Sequence, residues 1–215
     1  MRSVSYKTMQ NKIIDKRKVL DRIHENSIEI LELGCGSRKR ISGSIGIDIL
    51  DYPVVDIVGD IFDVLEAFPA ESVQKVHSSH FFEHVHDIPR LMSEVARILS
   101  KDGVLEITVP HFSNPYFFSD PTHKSFFGLY SMSYFSSNKY FGRQVPAYFF
   151  NHFSLKKVNL VFKSAKPFYF RYGIKKIIGS IFNSCKFLQE FYEENLCYIF
   201  PCYEIKYILI KINDE

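Results

Sequence analysis

Ile30-Leu31-Glu32-Leu33-Gly34-Cys35-Gly36 joins a short apolar run to a tight glycine turn directly after an acidic residue. The run reads as a buried strand. The glycines let the backbone pass close to a ligand, and a carboxylate at the strand's end can meet a cationic or hydroxyl-rich group. Twelve residues past Gly36, a second apolar segment, Ile45-Gly46-Ile47-Asp48, ends in another carboxylate, where a βαβ-type unit places a ribose-binding acid. One nucleotide-type cofactor can touch both.

What is missing narrows the cofactor. The dinucleotide pattern G-x-G-x-x-G needs a third glycine at position 39, where this chain has Lys39, and the acid comes sooner than the roughly 20 residues expected. NAD is therefore disfavoured, and no G-x-x-x-x-G-K-[ST] loop offers a seat for ATP or GTP. Glu32-Leu33-Gly34-Cys35-Gly36 followed by Gly46-Ile47-Asp48 instead resembles the first two motifs of class I S-adenosylmethionine-dependent methyltransferases. That cofactor carries no phosphate and presents a sulfonium, an ammonium and a ribose diol, which suit acids better than lysines.

The resemblance runs from about residue 28 to 123. Val55-Asp56-Ile57-Val58-Gly59-Asp60 looks like the third strand of that fold, and Val73 to Ser79 like the fourth. Ser79-His80-Phe81-Phe82-Glu83-His84-Val85 is similar to a segment that follows the fourth strand in many small-molecule members. Asp87 can cap a helix with Ile88, Leu91, Met92, Val95 and Leu99 on one face, which Asp102-Gly103 ends before a strand from Val104 to Val109. The resemblance implies S-adenosylmethionine held by Glu32, Gly34, Cys35, Gly36, Asp48, Asp60, Ile61, Ser79 and His80, with Asp60 receiving the adenine amino group. It also implies a Rossmann-like α/β fold: a seven-stranded, mostly parallel sheet, an antiparallel C-terminal strand pair and a helical lid insertion.

The chain departs from the usual pattern in one place. Only about ten residues separate Gly34 from the second strand, close to the minimum for a parallel crossover and too few for a full helix. The first helix is expected to be a loop, with Arg38, Lys39 and Arg40 on a mobile segment beside the cofactor. A subgroup with this short crossover and with Val-Pro-His and Asp-Pro-Thr-His elements resembles this chain. Its members are associated with cell-surface saccharides and other small metabolites.

Composition fits one catalytic domain. The chain has 215 residues, 46% of them hydrophobic, enough for a substantial core. It divides into an N-terminal helix (1–27), a cofactor-binding core (28–110), an acceptor loop region (111–150) and closing strands with a helical lid (151–215). A formal charge of +3 is too small to imply a polyanion partner by itself. The four cysteines show no paired C-x-x-C spacing, and with no signal peptide ahead of them a reducing cytoplasmic location is expected. From about Tyr6 to His24, apolar residues among Lys12, Lys16, Arg17, Lys18 and Arg22 predict an amphipathic helix with a basic outer face.

Beyond Val109 the chain becomes unusual. Pro110-His111-Phe112-Ser113-Asn114-Pro115-Tyr116 and Ser119-Asp120-Pro121-Thr122-His123 place two histidines, one acid and several aromatics just past a strand's carboxyl end, where ligands bind in open α/β sheets. Methyl transfer needs an aligned acceptor and a base. Histidine suits that task because its unperturbed pKa lies near neutrality. His123 is the first candidate, with Asp120 as orienting partner and His111 as runner-up; Asp-Pro-Thr-His also reads as a capped turn. Six of the eight histidines fall between positions 77 and 123, but no third metal ligand is fixed by spacing to His80 and His84, so no metal is expected. Asn114-Pro115-Tyr116-Phe117 is similar to a tetrad of DNA amino-methylating enzymes, yet it follows the fifth strand rather than the fourth and reads as chance.

Leu155 to Phe162 and Ile205 to Ile212 are expected to form the closing strand pair. Between them, Ile174, Ile177, Ile178, Ile181, Phe182, Cys185 and Leu188 repeat at helical spacing, with Lys175, Lys176 and Lys186 on other faces. This reads first as a buried lid over the acceptor pocket, with a basic amphipathic helix for a peripheral membrane surface or lipid-linked substrate as the lesser alternative. The expected function is methyl transfer to a sugar or small-metabolite hydroxyl, a small-molecule acceptor of saccharide type. Two alternatives are a nucleic-acid methyltransferase, for which a nucleic-acid partner is not the expectation, and a non-catalytic module that keeps the cofactor fold.

Overall fold

The computed structural model describes residues 13–23, 27–146, 148–149, 151–164 and 167–212. Its strands are β1 (Ile14–Asp15), β2 (Ile28–Leu33), β3 (Ile45–Asp48), β4 (Ile57–Val58), β5 (Val73–Ser79), β6 (Leu99–Pro110), β7 (Phe153–Val161) and β8 (Glu204–Lys211). The helices are α1 (Val19–Arg22), α2 (Ile61–Glu66), α3 (Ile88–Ile98), α4 (Tyr169–Phe182) and α5 (Lys186–Asn195). All eight strands form one sheet, in the order β1-β4-β3-β2-β5-β6-β8-β7.

The central strands β4, β3, β2, β5 and β6 run parallel, and β8 inserts antiparallel between β6 and β7. The order changes direction at β2, with β3 on one side and β5 on the other, so the carboxyl ends of β2, β3 and β5 surround a topological switch point. Leu31, Leu33, Ile47, Val73 and Val76 are fully or almost fully buried, as expected of strands covered on both faces.

α3 begins where the sequence places it but stops at Ile98, short of the expected end at Asp102-Gly103. The Asp87 carboxylate accepts from the Arg90 amide at 2.9 Å, Pro89 occupies the first turn, and Ile88, Leu91, Met92 and Val95 turn into the core. Each such side chain contributes roughly 1.5–3 kcal/mol when fully buried. The helix ends at Ile98. Leu99 then opens β6, and Ser100 to Gly103 bulge between its pairings with Val73 and Lys75.

Two further parts of the chain differ from expectation. Of the N-terminal helix, residues 6–12 and 24 lie outside the described residues. Within them, Ile14–Asp15 pairs with β4 as an eighth strand, and only Val19–Arg22 is helical. The Asp15 carboxylate explains the break, because it accepts from the amides of Arg17 and Leu20 at 3.2 and 2.7 Å and turns the chain between strand and helix. Lys18, at φ 53°, completes that turn. The second difference is that the apolar repeat of the expected lid divides at Asn183, ending α4, and resumes at Lys186 in α5. Asn183 accepts from the Leu160 amide and donates to the Leu160 carbonyl, which fastens this break to β7.

Candidate functional site

The glycine turn leaves β2 with Gly34 at φ +64° and Gly36 at φ +61°, both in the left-handed region that favours glycine. A Cβ on Gly34 would lie 2.5 Å from the Phe81 ring, whereas one on Gly36 would meet nothing within 4 Å. Gly36 therefore opens onto free space at the switch point, and its amide donates to Asp48 Oδ2 at 2.8 Å. The Leu50 amide donates to Asp48 Oδ1 at 2.9 Å. Two backbone amides thus fix the Asp48 carboxylate at the end of β3, and each oxygen keeps a lone pair for a hydroxyl.

Asp60 caps α2 by accepting from the Phe62 amide at 2.9 Å, and Ile61 follows it half-buried. Ile49 and Leu50, both more than half exposed, stand directly after Asp48. They were missed in the sequence, although two large apolar residues directly after an acid at a strand end are visible there. Cys35 is buried, and burial together with the Asp48 and Glu32 carboxylates pushes its thiol up to about 12, which makes it inert.

Glu32 has a different task. It is 1% exposed, accepts from the Arg40 and Ile41 amides at 2.7 and 3.2 Å, and takes a third bond from Ser44 Oγ at 3.0 Å. The crossover has no helix, as its length requires, but it is not loose. Lys39 donates to the Ser44 carbonyl at 2.7 Å and pairs with buried Asp56, which is why the expected mobile basic segment is a fixed loop. Asp56 is also bound by Arg17 Nε at 2.8 Å.

Ser79 ends β5, and His80 follows at φ 56°. His80 Nδ1 lies 3.3 Å from Glu83 and Nε2 lies 3.1 Å from Glu204. The two carboxylates raise its pKa to about 9, so it is a cation at neutral pH. Glu204 also pairs with Lys163 at 2.7 Å, and these partners hold its carboxyl down at about 2.

On the acceptor side, Asp-Pro-Thr-His does form a turn: the Thr122 amide and hydroxyl donate to Asp120 Oδ1 at 2.9 and 2.6 Å. Those bonds hold the Asp120 carboxyl below its usual range. His123 Nδ1 faces the Phe117 carbonyl at 2.8 Å, a bond only an N–H can make, so Nε2 is the nitrogen left to exchange a proton. Asp120 Oδ2 is 3.7 Å from that Nε2, so the orienting partner is the Phe117 carbonyl, and Asp120 stands on the reactive side. His111 is fully buried, with Nδ1 2.8 Å from Ser113 Oγ and Nε2 3.0 Å from Glu193. Nε2 thus ties the end of β6 to α5 through Glu193, while Nδ1 is taken up by Ser113 of the following loop.

Spacing reveals no third ligand for His80 and His84, and the fold gathers a different group that leaves His80 out. Ligand atoms of Glu83, His84 and His123 lie within 4.8 Å of one another, and Glu83 is 1% exposed with no hydrogen-bond partner for either oxygen. Its contact with His80 is an ion pair by distance alone.

A mostly parallel sheet with a switch point at β2, a glycine turn there, an acid at the end of β3 and an antiparallel closing strand define the Rossmann-like fold of S-adenosylmethionine-dependent methyltransferases. The model of a methyltransferase domain matches residues 6–159, and the chain belongs to that family. Among solved structures, a SAM-dependent methyltransferase from Archaeoglobus fulgidus is 19% identical, with 91% of this chain and 94% of that one covered and a TM-score of 0.53. The methyltransferase solved with the Haloferax volcanii Trm112 activator is 15% identical, with coverages of 93% and 89% and a TM-score of 0.52. Haemonchus contortus phosphoethanolamine N-methyltransferase 2 is 14% identical, with a TM-score of 0.50 over 91% of this chain and 51% of its own length. No curated protein matches the sequence.

Proposed function

We propose that this protein transfers the methyl group of S-adenosylmethionine to a hydroxyl of a sugar or saccharide precursor. When bound, the cofactor supplies an electrophilic methyl carbon on a sulfonium. The observation that carries this reading is the Asp48 carboxylate, held by the Gly36 and Leu50 amides and facing the open side of the glycine turn. Asp48 would hold the ribose diol, Asp60 and Ile61 the adenine end, and Gly34, Cys35 and Gly36 would let the backbone approach closely. Glu32 serves the cofactor through the crossover it holds. His80 contributes as a charged post at the end of β5.

The saccharide reading rests on the loop beyond β6. Phe118 and Phe126 are exposed and lie 6.0 Å apart, with Phe117 between them and His123, and Asp120 stands beside the group. Pyranose C–H faces stack on such rings while hydroxyls bond to the carboxylate and imidazole. His123 Nε2 takes the acceptor proton, and Asp120 stabilises the resulting imidazolium. His111 has no nitrogen left for that role. Positioning supplies most of the acceleration, and a base adds roughly 10²–10⁴-fold.

A second reading comes from the buried Glu83 carboxylate, which accepts no hydrogen bond: a divalent cation on Glu83, His84 and His123 would lower the acceptor hydroxyl's pKa in place of a free base. A chelator abolishes turnover in that case and leaves it intact if His123 is the base. The cofactor reading itself is tested by calorimetric titration with S-adenosylmethionine and S-adenosylhomocysteine, with NAD as control. Saturable binding of the sulfur nucleotides alone is expected; binding of none of the three overturns it.

A further inference from the structure

The inward stripe of α4 is Lys175, Ile178, Gly179 and Phe182. Lys175 is buried and donates to the carbonyls of Lys163 and Pro201, both at 3.0 Å. Ile178 and Phe182 pack on the core, and Gly179 lies so close to the Phe162 ring that a Cβ would come within 3.2 Å. Helical geometry puts a second stripe, Phe170, Ile174, Ile177 and Ile181, about a third of a turn round the helix. This stripe faces solvent, with Phe170 84% and Ile177 63% exposed. An ordinary surface helix carries charge there.

Cations surround the apolar stripe. Arg171 and Lys176 are exposed on α4, Lys186 opens α5, and residues 163–189 contain no aspartate or glutamate. Phe168 and Tyr169 are exposed at the helix's start. The exposed turn Tyr198-Ile199-Phe200 is tied to the same place, through Lys175 to the Pro201 carbonyl and through Tyr192, which donates to the Phe200 carbonyl at 2.8 Å. Among the described residues no helix is long and apolar enough to cross a membrane, so this face suits lying on one.

We propose that the outer face of α4 docks on an anionic lipid bilayer, with the helix in the plane of the interface. A second copy of the chain fits less well, because two such faces bring Arg171 and Lys176 against like charge with no acid on α4 to offset it. Anionic headgroups complement those cations, and Phe170, Ile174, Ile177 and Ile181 enter the acyl boundary. The placement has a use. Glu204 pairs with both Pro110 and Val161, so the insertion that holds α4 leaves the sheet at the carboxyl end of β6, where the loop bearing His123 also begins. Docking would bring that end of the sheet to the bilayer, as a saccharide acceptor carried on a lipid requires; this use, unlike the docking, rests on the function proposed above.

The test is co-sedimentation of the full chain with phosphatidylcholine vesicles, with and without about 30 mol% phosphatidylserine. We expect binding to the anionic vesicles, weakened by salt, and little to the neutral ones. F170S/I177S should reduce partitioning at least tenfold. R171Q and K176Q, which leave the apolar stripe intact, should each reduce it about fivefold on anionic vesicles. No binding to anionic vesicles, or binding unchanged in the soluble F170S/I177S variant, overturns the proposal. A concentration-dependent dimer lost in that variant overturns it in favour of a second copy. Cofactor titration of the same preparations keeps the two readings apart: vesicle binding lost with cofactor binding intact sinks only the docking, and the converse sinks only the proposed function.

Discussion

On the proposed function Asp48 meets a ribose diol, and two backbone amides already fix its orientation. Replacing it with alanine removes charged acceptors from a held geometry. Asp48→Ala should weaken S-adenosylmethionine binding by about 2 kcal/mol, or roughly 30-fold. Calorimetry reads the change, and an unaltered dissociation constant would remove Asp48 from the cofactor site. His123→Ala should leave that constant nearly unchanged while lowering turnover about 10²-fold, the scale of a lost base. Full turnover in the variant would move the base elsewhere. Gly34, Gly36 and Asp48 were legible in the sequence because their signals are local: glycines at a strand end and an acid at a fixed step beyond. The state of His123 was not, since its ring is set by the Phe117 carbonyl, and nothing in the spacing reveals which nitrogen that bond occupies.

At the scale of elements, the crossover between β2 and β3 shows how a loop can replace a helix. A crossover helix would satisfy its own amides, whereas here the buried Glu32 carboxylate takes those of Arg40 and Ile41. Glu32→Ala leaves these two amide donors without their partner, while the Ser44 hydroxyl keeps the Ile41 carbonyl at 2.9 Å. At roughly 1–3 kcal/mol for each buried group left unpaired, a loss of about 3 kcal/mol is expected in urea unfolding. Cofactor affinity should fall with it, since the glycine turn and the crossover are continuous. An unfolding midpoint within error of the parent's would mean the loop holds itself. The shortness of this crossover was readable by counting residues; its rigidity depends on contacts among Glu32, Lys39, Ser44 and Asp56, which no periodicity encodes. α4 misleads for a related reason. Its repeat marks a helix correctly, but only the packing of Lys175 against two carbonyls shows that Ile174, Ile177 and Ile181 line the solvent side while Ile178 turns inward.

Across the whole molecule, one polar chain joins the cofactor end of the sheet to the helical insertion: Glu83 to His80, His80 to Glu204 and Glu204 to Lys163. Its members come from β5's end, β8 and the segment after β7, so the motif order that revealed the strands could not reveal this link. The link makes stability depend on pH. His80 is raised from 6.5 to about 9 by Glu204 and Glu83, so its contribution is complete below pH 6.5 and disappears as pH rises through about 9. Glu204 is lowered from 4.5 to about 2, so its contribution is complete above pH 4.5 and disappears as pH falls through about 2. Both are therefore present together between pH 4.5 and 6.5. The parent protein's Tm should then fall between pH 6.5 and 9 by more than that of His80→Gln, which cannot titrate, and the two curves should converge at the alkaline end. Parallel curves in differential scanning calorimetry would show that folding does not shift the His80 pKa. The same variant should loosen the insertion at its root on the sheet, giving faster amide exchange at Lys163 and Glu204 than in β2 or β3. Uniform exchange would mean that the chain of charges braces nothing beyond its own residues.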